Sequence, residues 1–320
     1  MLVLRTSEQE NQHVHKMRML HTSKGSVAGG TMSGRKVARE NKREMKLAAI
    51  YNVWTDTQDL FPLSIQSIKP YVDVVILVAS IKSNYGQHGF YMPWNHEGVD
   101  VIMHEPIFGL SPYQNERTKR QVGIDRAKEL DCTHFILMDG DEFYEANDVI
   151  AAIHFMENIL CNGQVNGLVV NCTTYFKSPR LYVRDTTLVP FIHKLYMDTK
   201  CGLNPKYPYA WVAGKIRIDP TRQLNYTNGI VHATHKGMPI QMHHYSWVRG
   251  SFTDKIENST ARDNIKRSTI IRDLSEAKEG YFCEFYGQTL QRATVDFNVP
   301  ELANEAEIHK LMAGSYSDQP

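Results

Sequence analysis

THFILMDGDEFY, residues Thr133 to Tyr144, is the stretch on which the reading of the chain turns. Thr133 to Met138 is an almost uninterrupted apolar run, the pattern of a strand buried on both faces of a mainly parallel sheet. It stops at three acids, Asp139, Asp141 and Glu142. Ligands of open α/β sheets bind beyond the carboxyl ends of the strands, so Asp139 and Asp141 stand where a substrate is expected. Two carboxylates separated only by Gly140 repel each other unless a cation lies between them, and hard oxygen ligands suit Mg²⁺ or Mn²⁺. A cation held in this way commonly carries phosphate. Gly140 is expected to let the backbone turn tightly and a diphosphate approach the main chain. For Asp-x-Asp taken alone, the plain alternative is a loop of solvated acids after a core strand.

The preceding sequence supplies a context for that strand. Lys46 to Trp54 reads as a first strand, Asp59 to Pro70 as a helix with Phe61, Ile65 and Ile68 on one face, and Val72 to Ala79 as a second buried strand. Strand, helix and strand in so short a span form a βαβ unit, the opening of a nucleotide-binding α/β domain. Asn52, Asp56, Ser80 and Ser83, in the loops that follow the strands, would flank a base and ribose, or serve as turn and cap residues. Val99 to His104 gives another strand, and a long helix runs from Ser111 to about Leu130. Arg120, Gly123, Ala127 and Leu130 share one face of it, which presents the small pair to the sheet. Its N-terminal end falls at the same edge as the acids, so Arg120, with Arg117 and Lys119, is expected near a bound diphosphate, Arg120 alone lying on the packed side.

Beyond the acids, Asn147 caps a helix with an apolar stripe at Val149, Ile153, Met156 and Leu160, and Gly167 to Phe176 is a strand. Less regular segments follow, with a short strand at Lys215 to Ile218. Tyr175, Tyr209 and Trp211 could stack on sugar rings or simply pack. Met242 to Arg249 reads as a strand, on which His243 and His244 point to opposite faces, so only one can reach the acids. Phe252 to Ala277 reads as one or two surface helices.

Together these motifs resemble the GT-A-fold glycosyltransferases, particularly their family-2-like members. Asp139-Gly140-Asp141-Glu142-Phe143 is similar to the Asp-x-Asp-Glu-Phe signature of that family. Arg120-Gln121-Val122-Gly123-Ile124 with Ala127 is similar to its Ala-Arg-Asn-x-Gly helix, with Lys119 and Gln121 in place of Ala and Asn. His244-Tyr245-Ser246-Trp247-Val248-Arg249 resembles its His-aromatic-x-aromatic-Val-Arg motif. The resemblance spans roughly residues 46–249. It implies a GT-A-like, Rossmann-like α/β fold, a mainly parallel sheet flanked by helices, and a metal-dependent transfer of sugar from a nucleotide-diphosphate donor. It also implies Asp141 as a ligand of Mn²⁺ or Mg²⁺, Asp139 on the cation or the ribose, and His244, with His243 as runner-up, as the third protein ligand. Asp139, Asp141 and Glu142 are then the catalytic group, and Asn52, Asp56, Arg117, Arg120 and Asp139 the nucleotide contacts. Arg249 is expected to pair with phosphate or an acid. The family's Glu-Asp acceptor-side motif is absent, leaving Glu142, Asp185 and Asp219 as possible proton acceptors. The acceptor, whether glycan, protein or modified nucleic acid, is left open.

Length and composition set the bounds. At 320 residues and 42% hydrophobic content the chain can bury one sizeable core. Its net charge of +1 gives no general attraction to nucleic acid, although residues 1–44 hold nine Lys/Arg against four Asp/Glu. The expected division is a basic, disordered extension over 1–44, a catalytic domain over 45–250 and a helical appendage over 251–320. Five scattered cysteines without a Cys-x-x-Cys pair are expected reduced, and no run has the length of a membrane span, so the expectation is a soluble, cytoplasmic protein. Two other readings are a sugar-nucleotide nucleotidyltransferase, which would carry a Gly-rich basic loop straight after the first strand, and a non-catalytic nucleic-acid- or carbohydrate-binding protein using the basic extension.

Overall fold

The computed structural model describes residues 45–89, 97–159, 165–202, 217–219, 221–226, 228–259, 266–303 and 305–314. The basic stretch 1–44, with Tyr209 and Trp211, lies outside them, as does the Asp56 side chain.

The first half of the sheet is the expected βαβ arrangement. Strands β1 (Leu47–Val53), β2 (Val74–Ala79), β3 (Val99–Met103) and β4 (His134–Asp139) run parallel in the order β3-β2-β1-β4. Strand residues alternate between faces, and in β1 both faces are apolar. Leu47, Ala49, Tyr51 and Val53 join one core with Phe61, Ile65 and Ile68 of helix α1 (Phe61–Ile68). Ala48 and Ile50 join another with Ile124 and Ala127 of helix α2 (Pro112–Glu129). Helix α2 begins at a capping box, in which the Ser111 hydroxyl accepts from the Gln114 N–H and the Gln114 side chain accepts from the Ser111 N–H.

Gly123 allows that second packing. A Cβ there would lie 2.2 Å from Ile50 Cγ2 and 3.2 Å from Val78 Cγ2, so α2 rests almost backbone-on-sheet. Gly123→Ala is therefore expected to cost about 1–3 kcal/mol through overpacking, more than the roughly 1 kcal/mol that alanine gains in helix propensity. A urea midpoint equal to or above that of the native chain would contradict this.

The second half continues with β5 (Glu142–Phe143), α3 (Ala146–Ile159), β6 (Gly167–Phe176), β7 (Ser178–Lys194), β8 (Arg217–Ile218), β9 (Ile230–His232) and β10 (Gln241–Trp247). Strand β7 is antiparallel to both β4 and β6, and the main path of the sheet runs β3-β2-β1-β4-β7-β6-β10-β5, with β8 pairing with β7 and β9 with β6 beside it. The sequence reading treats the region of β7 as irregular, and here the structure corrects it. Three register shifts between β6 and β7 break the period-two alternation by which a long strand is recognised. The chain closes with α4 (Phe252–Asn258), α5 (Arg267–Glu276), β11 (Phe282–Cys283), β12 (Gln288–Thr289), β13 (Gln291–Arg292) and α6 (Glu305–Gly314). Phe252, Ile270, Leu274 and Leu311 from these helices pack on Phe176, Val183 and Trp247, while β13 adds to the edge of β7.

The result is an α/β, Rossmann-like fold: a mixed, mostly parallel central sheet flanked by helices. Between β1 and β4 the strand order reverses, the chain having gone outward through β2 and β3 before returning. A crevice opens at such a switch point, beyond the strands' carboxyl ends. The four described cysteines, Cys132, Cys172, Cys201 and Cys283, are free thiols, and among the described residues no helix is long and apolar enough to cross a membrane.

Candidate active site

Asn52 at the end of β1 stands in register with Asp139 at the end of β4. Beyond them opens a cleft of about 390 Å³. The acidic loop is fastened across this edge: Glu142 and Phe143 pair antiparallel with His244 and His243, and the Tyr245 N–H donates to the Asp141 carbonyl at 2.8 Å. That pairing brings β10 against the acids.

Each acid is held by cations. Asp139 meets Arg120 Nη2 at 3.1 Å and Arg222 Nη2 at 2.6 Å, and its side chain keeps 29% exposure. Burial alone would raise its pKa, but the two guanidiniums outweigh it and bring the value down to about 2. Glu142 lies deeper. Arg222 reaches both of its oxygens, and its Oε2 accepts from the Asp139 N–H at 2.9 Å. Burial still pushes the Glu142 carboxyl up, Arg222 offsetting part of the effect. Arg222 also meets Asp219 Oδ2 at 3.0 Å and the Leu137 carbonyl at 3.1 Å. Arg120 is shared with Glu116 at 2.6 Å.

Asp141 belongs to a second group of cations. Arg249 Nη2 lies 2.6 Å from its Oδ2, Lys255 Nζ 3.8 Å from the same oxygen, and His244 Nε2 3.5 Å from Oδ1. Burial works against ionisation, yet His244 and Lys255 hold the carboxyl well below the usual range. Burial lowers His244 too, and Asp141 more than compensates, so its pKa is raised. His243 points the other way, with Nδ1 3.0 Å from the Tyr175 hydroxyl and its ring against Phe297; burial lowers it to about 4. Of the two histidines, His244 is the one at the acids.

Several expectations change. Arg117 lies on a separate groove with Leu110, Gln114 and Lys128 and does not line the cleft. Lys119 joins Arg120 on the packed side: it is buried, and its ammonium donates to the Val53 carbonyl and to Ser80 Oγ. Gly140 is not among the positive-φ glycines. It is needed because a Cβ would lie 2.6 Å from Thr57 Oγ1, so close packing rather than a tight turn demands glycine. Tyr175 is buried, stacked on Tyr245 with centroids 4.0 Å apart, and packs. Arg249 pairs with an acid. Ser83 serves its own loop, accepting from the Tyr85 and Gln87 N–H groups.

Asn52 lines the cleft, and neither its amide oxygen nor its nitrogen has a hydrogen-bond partner among the described residues, although the side chain is buried. Buried polar atoms are rarely left so, and an amide offering one donor and one acceptor suits a ligand that presents both. Sequence reasoning missed Arg222, Lys255 and Glu116. Arg222 stands in an irregular segment with no periodicity or motif to single it out.

Whether these donors suit a divalent cation can be judged from their chemistry. Asp141 Oδ1 and His244 Nε2 converge, an oxygen and an imidazole nitrogen compatible with Mn²⁺ or Mg²⁺. Asp139 has its oxygens engaged by two arginines. Among the described residues no three His, Cys, Asp or Glu side chains are grouped as ligands. The fit is therefore with a two-residue protein set, completed by ligand oxygens and water, as Mg²⁺ commonly is.

No known family model and no curated protein matches the sequence. Among solved structures, residues 1–349 of S. aureus TarS overlay 72% of this chain and 70% of their own at 11% identity, TM-score 0.34. The UDP complex of the same TarS fragment overlays 41% of this chain at 13% identity, TM-score 0.29, and the match spans only 36% of the TarS chain. A mannose-1-phosphate geranyltransferase from Thermus thermophilus overlays 48% and 51% of the two chains at 12% identity, TM-score 0.24. Overlays this loose say nothing of any residue's role, and the functional reading rests on the cleft.

Proposed function

We propose that this chain is a glycosyltransferase that takes its sugar from a nucleotide-diphosphate donor with the help of Mn²⁺ or Mg²⁺. The observation that carries the reading is the meeting of Asp141 and His244 in a switch-point cleft that also holds the unpartnered Asn52 amide. Asn52 would bind the base or ribose from the end of β1. Asp139, kept ionised by Arg120 and Arg222, has an exposed edge that can accept a hydroxyl hydrogen bond from the ribose. Lys255, at the rim of the Asp141 group, supplies a cation for the diphosphate. A cation held by Asp141 and His244 would neutralise the charge that develops on the departing diphosphate. Glu142 is a framework residue, its oxygens taken by Arg222 and the Asp139 N–H. The basic loop expected of a nucleotidyltransferase has its place taken by the short 3-10 turn Thr55–Thr57.

Calorimetry with UDP-, GDP- and dTDP-sugars in Mn²⁺ or Mg²⁺ tests the reading. At least one donor is expected to bind in a metal-dependent way, and Asp141→Ala to weaken that binding by about tenfold or more, roughly 1.4 kcal/mol. If no donor binds with either metal, the proposal fails.

A further inference from the structure

The cleft has a second set of lining residues for which donor binding has no use. Asp185 and Thr187 come from β7, Trp247 from the end of β10, Asn258 from the end of α4, and Phe285 and Tyr286 from the turn between β11 and β12.

Six carboxylates line the cleft, and five are committed to basic side chains: Glu116 to Arg120, Asp139 to Arg120 and Arg222, Glu142 and Asp219 to Arg222, and Asp141 to Arg249. Asp185 differs. Its oxygens accept from the Thr174 hydroxyl at 3.2 Å and the Thr187 N–H at 2.8 Å, and no cation pairs with it among the described residues. A guanidinium stabilises the charged form of a carboxylate and so makes it a poorer proton acceptor. Asp185 is the acid in the cleft that has no guanidinium or ammonium partner among the described residues, and two neutral donors fix its orientation.

The neighbouring groups are neutral and amphipathic. Asn258 is buried, and its Oδ1 has no hydrogen-bond partner among the described residues, so it is suited to accept from a ligand hydroxyl. Phe285 and Tyr286 are half-buried rings packed edge to face with centroids 5.0 Å apart, and the Tyr286 hydroxyl accepts from Trp247 Nε1 at 3.0 Å. Aromatic surface beside neutral hydrogen-bonding groups matches a sugar ring, which has apolar faces and a hydroxylated rim. Lys255, on the same helix as Asn258, turns its ammonium to Asp141 at 3.8 Å. A phosphate or carboxylate seated here would meet Asp185 uncompensated.

We infer that these residues seat a neutral carbohydrate acceptor and that Asp185 takes the proton from its attacking hydroxyl. The inference deepens the proposed function and rests on it. In the transfer, the acceptor oxygen bonds to the anomeric carbon of the donor. The bond from that carbon to the diphosphate oxygen breaks, its electron pair leaving with the nucleoside diphosphate, and the hydroxyl proton passes to the Asp185 carboxylate.

Asp185→Asn in the full chain keeps the shape and the accepting oxygen while removing the basicity. With the best-binding sugar nucleotide and Mn²⁺, hydrolysis of the donor, in which water stands in for the acceptor, is expected to fall about 10²-fold or more, with nucleotide affinity unchanged. Saturation-transfer NMR on protein loaded with UDP and Mn²⁺ is expected to show binding of at least one of methyl glucoside, methyl galactoside and methyl N-acetylglucosaminide. The 6-phosphate counterparts should not bind, and Phe285→Ala should abolish the signal. Hydrolysis in Asp185→Asn within about threefold of the native rate overturns the proton-acceptor role. A loss of nucleotide affinity in that variant overturns it as well, by placing Asp185 in the donor site or the fold. Binding of no neutral glycoside, or a preference for the phosphorylated ones, overturns the acceptor class. Failure of every nucleotide to bind the native protein is a different result: it removes the proposed function, and this inference with it.

Discussion

Replacing Arg222 with Met is expected to lower the unfolding free energy by about 3–5 kcal/mol, the scale for breaking a buried ion pair by removing one partner. Arg222 is 2% exposed and joins Glu142, Asp139, Asp219 and the Leu137 carbonyl. Without it Glu142, 1% exposed, keeps one hydrogen bond from the Asp139 N–H and no countercharge at hydrogen-bond distance among the described residues. The carboxyl, already pushed up by burial, is then driven to take up a proton on folding, and the variant loses stability as pH rises above the ordinary glutamate value. Asp139 retains Arg120, so the larger damage falls on Glu142. The double variant Arg222→Met with Glu142→Gln is expected to recover much of the loss, because the stranded charge is gone. Urea unfolding of both variants checks this, and a loss below about 1 kcal/mol in the single variant would show that the pair contributes no more than an exposed one.

Acid should destabilise the protein through its buried histidines before Asp139 is titrated. His134, His193 and His243 are each at most 4% exposed, and burial lowers them to about 4, about 3 and about 4 respectively. Their folded-state values lie below the ordinary 6.5. The stability they contribute is therefore complete above that value and is lost as pH falls towards 4, where the unfolded chain binds protons that the folded one refuses. A fall from 6.5 to about 4 corresponds to about 3 kcal/mol for a single histidine. Asp139, lowered to about 2, adds its loss only at still lower pH. The urea midpoint is expected to drop steeply between pH 6.5 and 4 and to flatten for a His134→Gln, His243→Gln double variant. A midpoint constant over that interval would mean that these rings are hydrated or partnered when charged.

The parallel half of the sheet is legible in the sequence because β1, β2 and β4 are local apolar runs separated by one helix each, and both of their faces are covered. The helix that carries Arg120 and Gly123 is legible for a similar reason, its capping box and close-packed face lying within 18 residues. Strand β7 is hidden by its register shifts, and Arg222 by its setting in an irregular segment. Lys119 reads as lying off the packed side of its helix because its partners, the Val53 carbonyl and Ser80, belong to other elements.

Local pattern alone therefore determined the α/β class, the strand that ends in acids, and the opposite facing of His243 and His244, since each depends on the fixed periodicities of strand and helix over neighbouring residues. Tertiary structure alone decided which charges meet. Arg222 reaches Asp139 across 83 positions and Arg249 reaches Asp141 across 108. Electrostatic pairing depends on separation in space and on burial, and neither can be read from a chain until its sheet has closed.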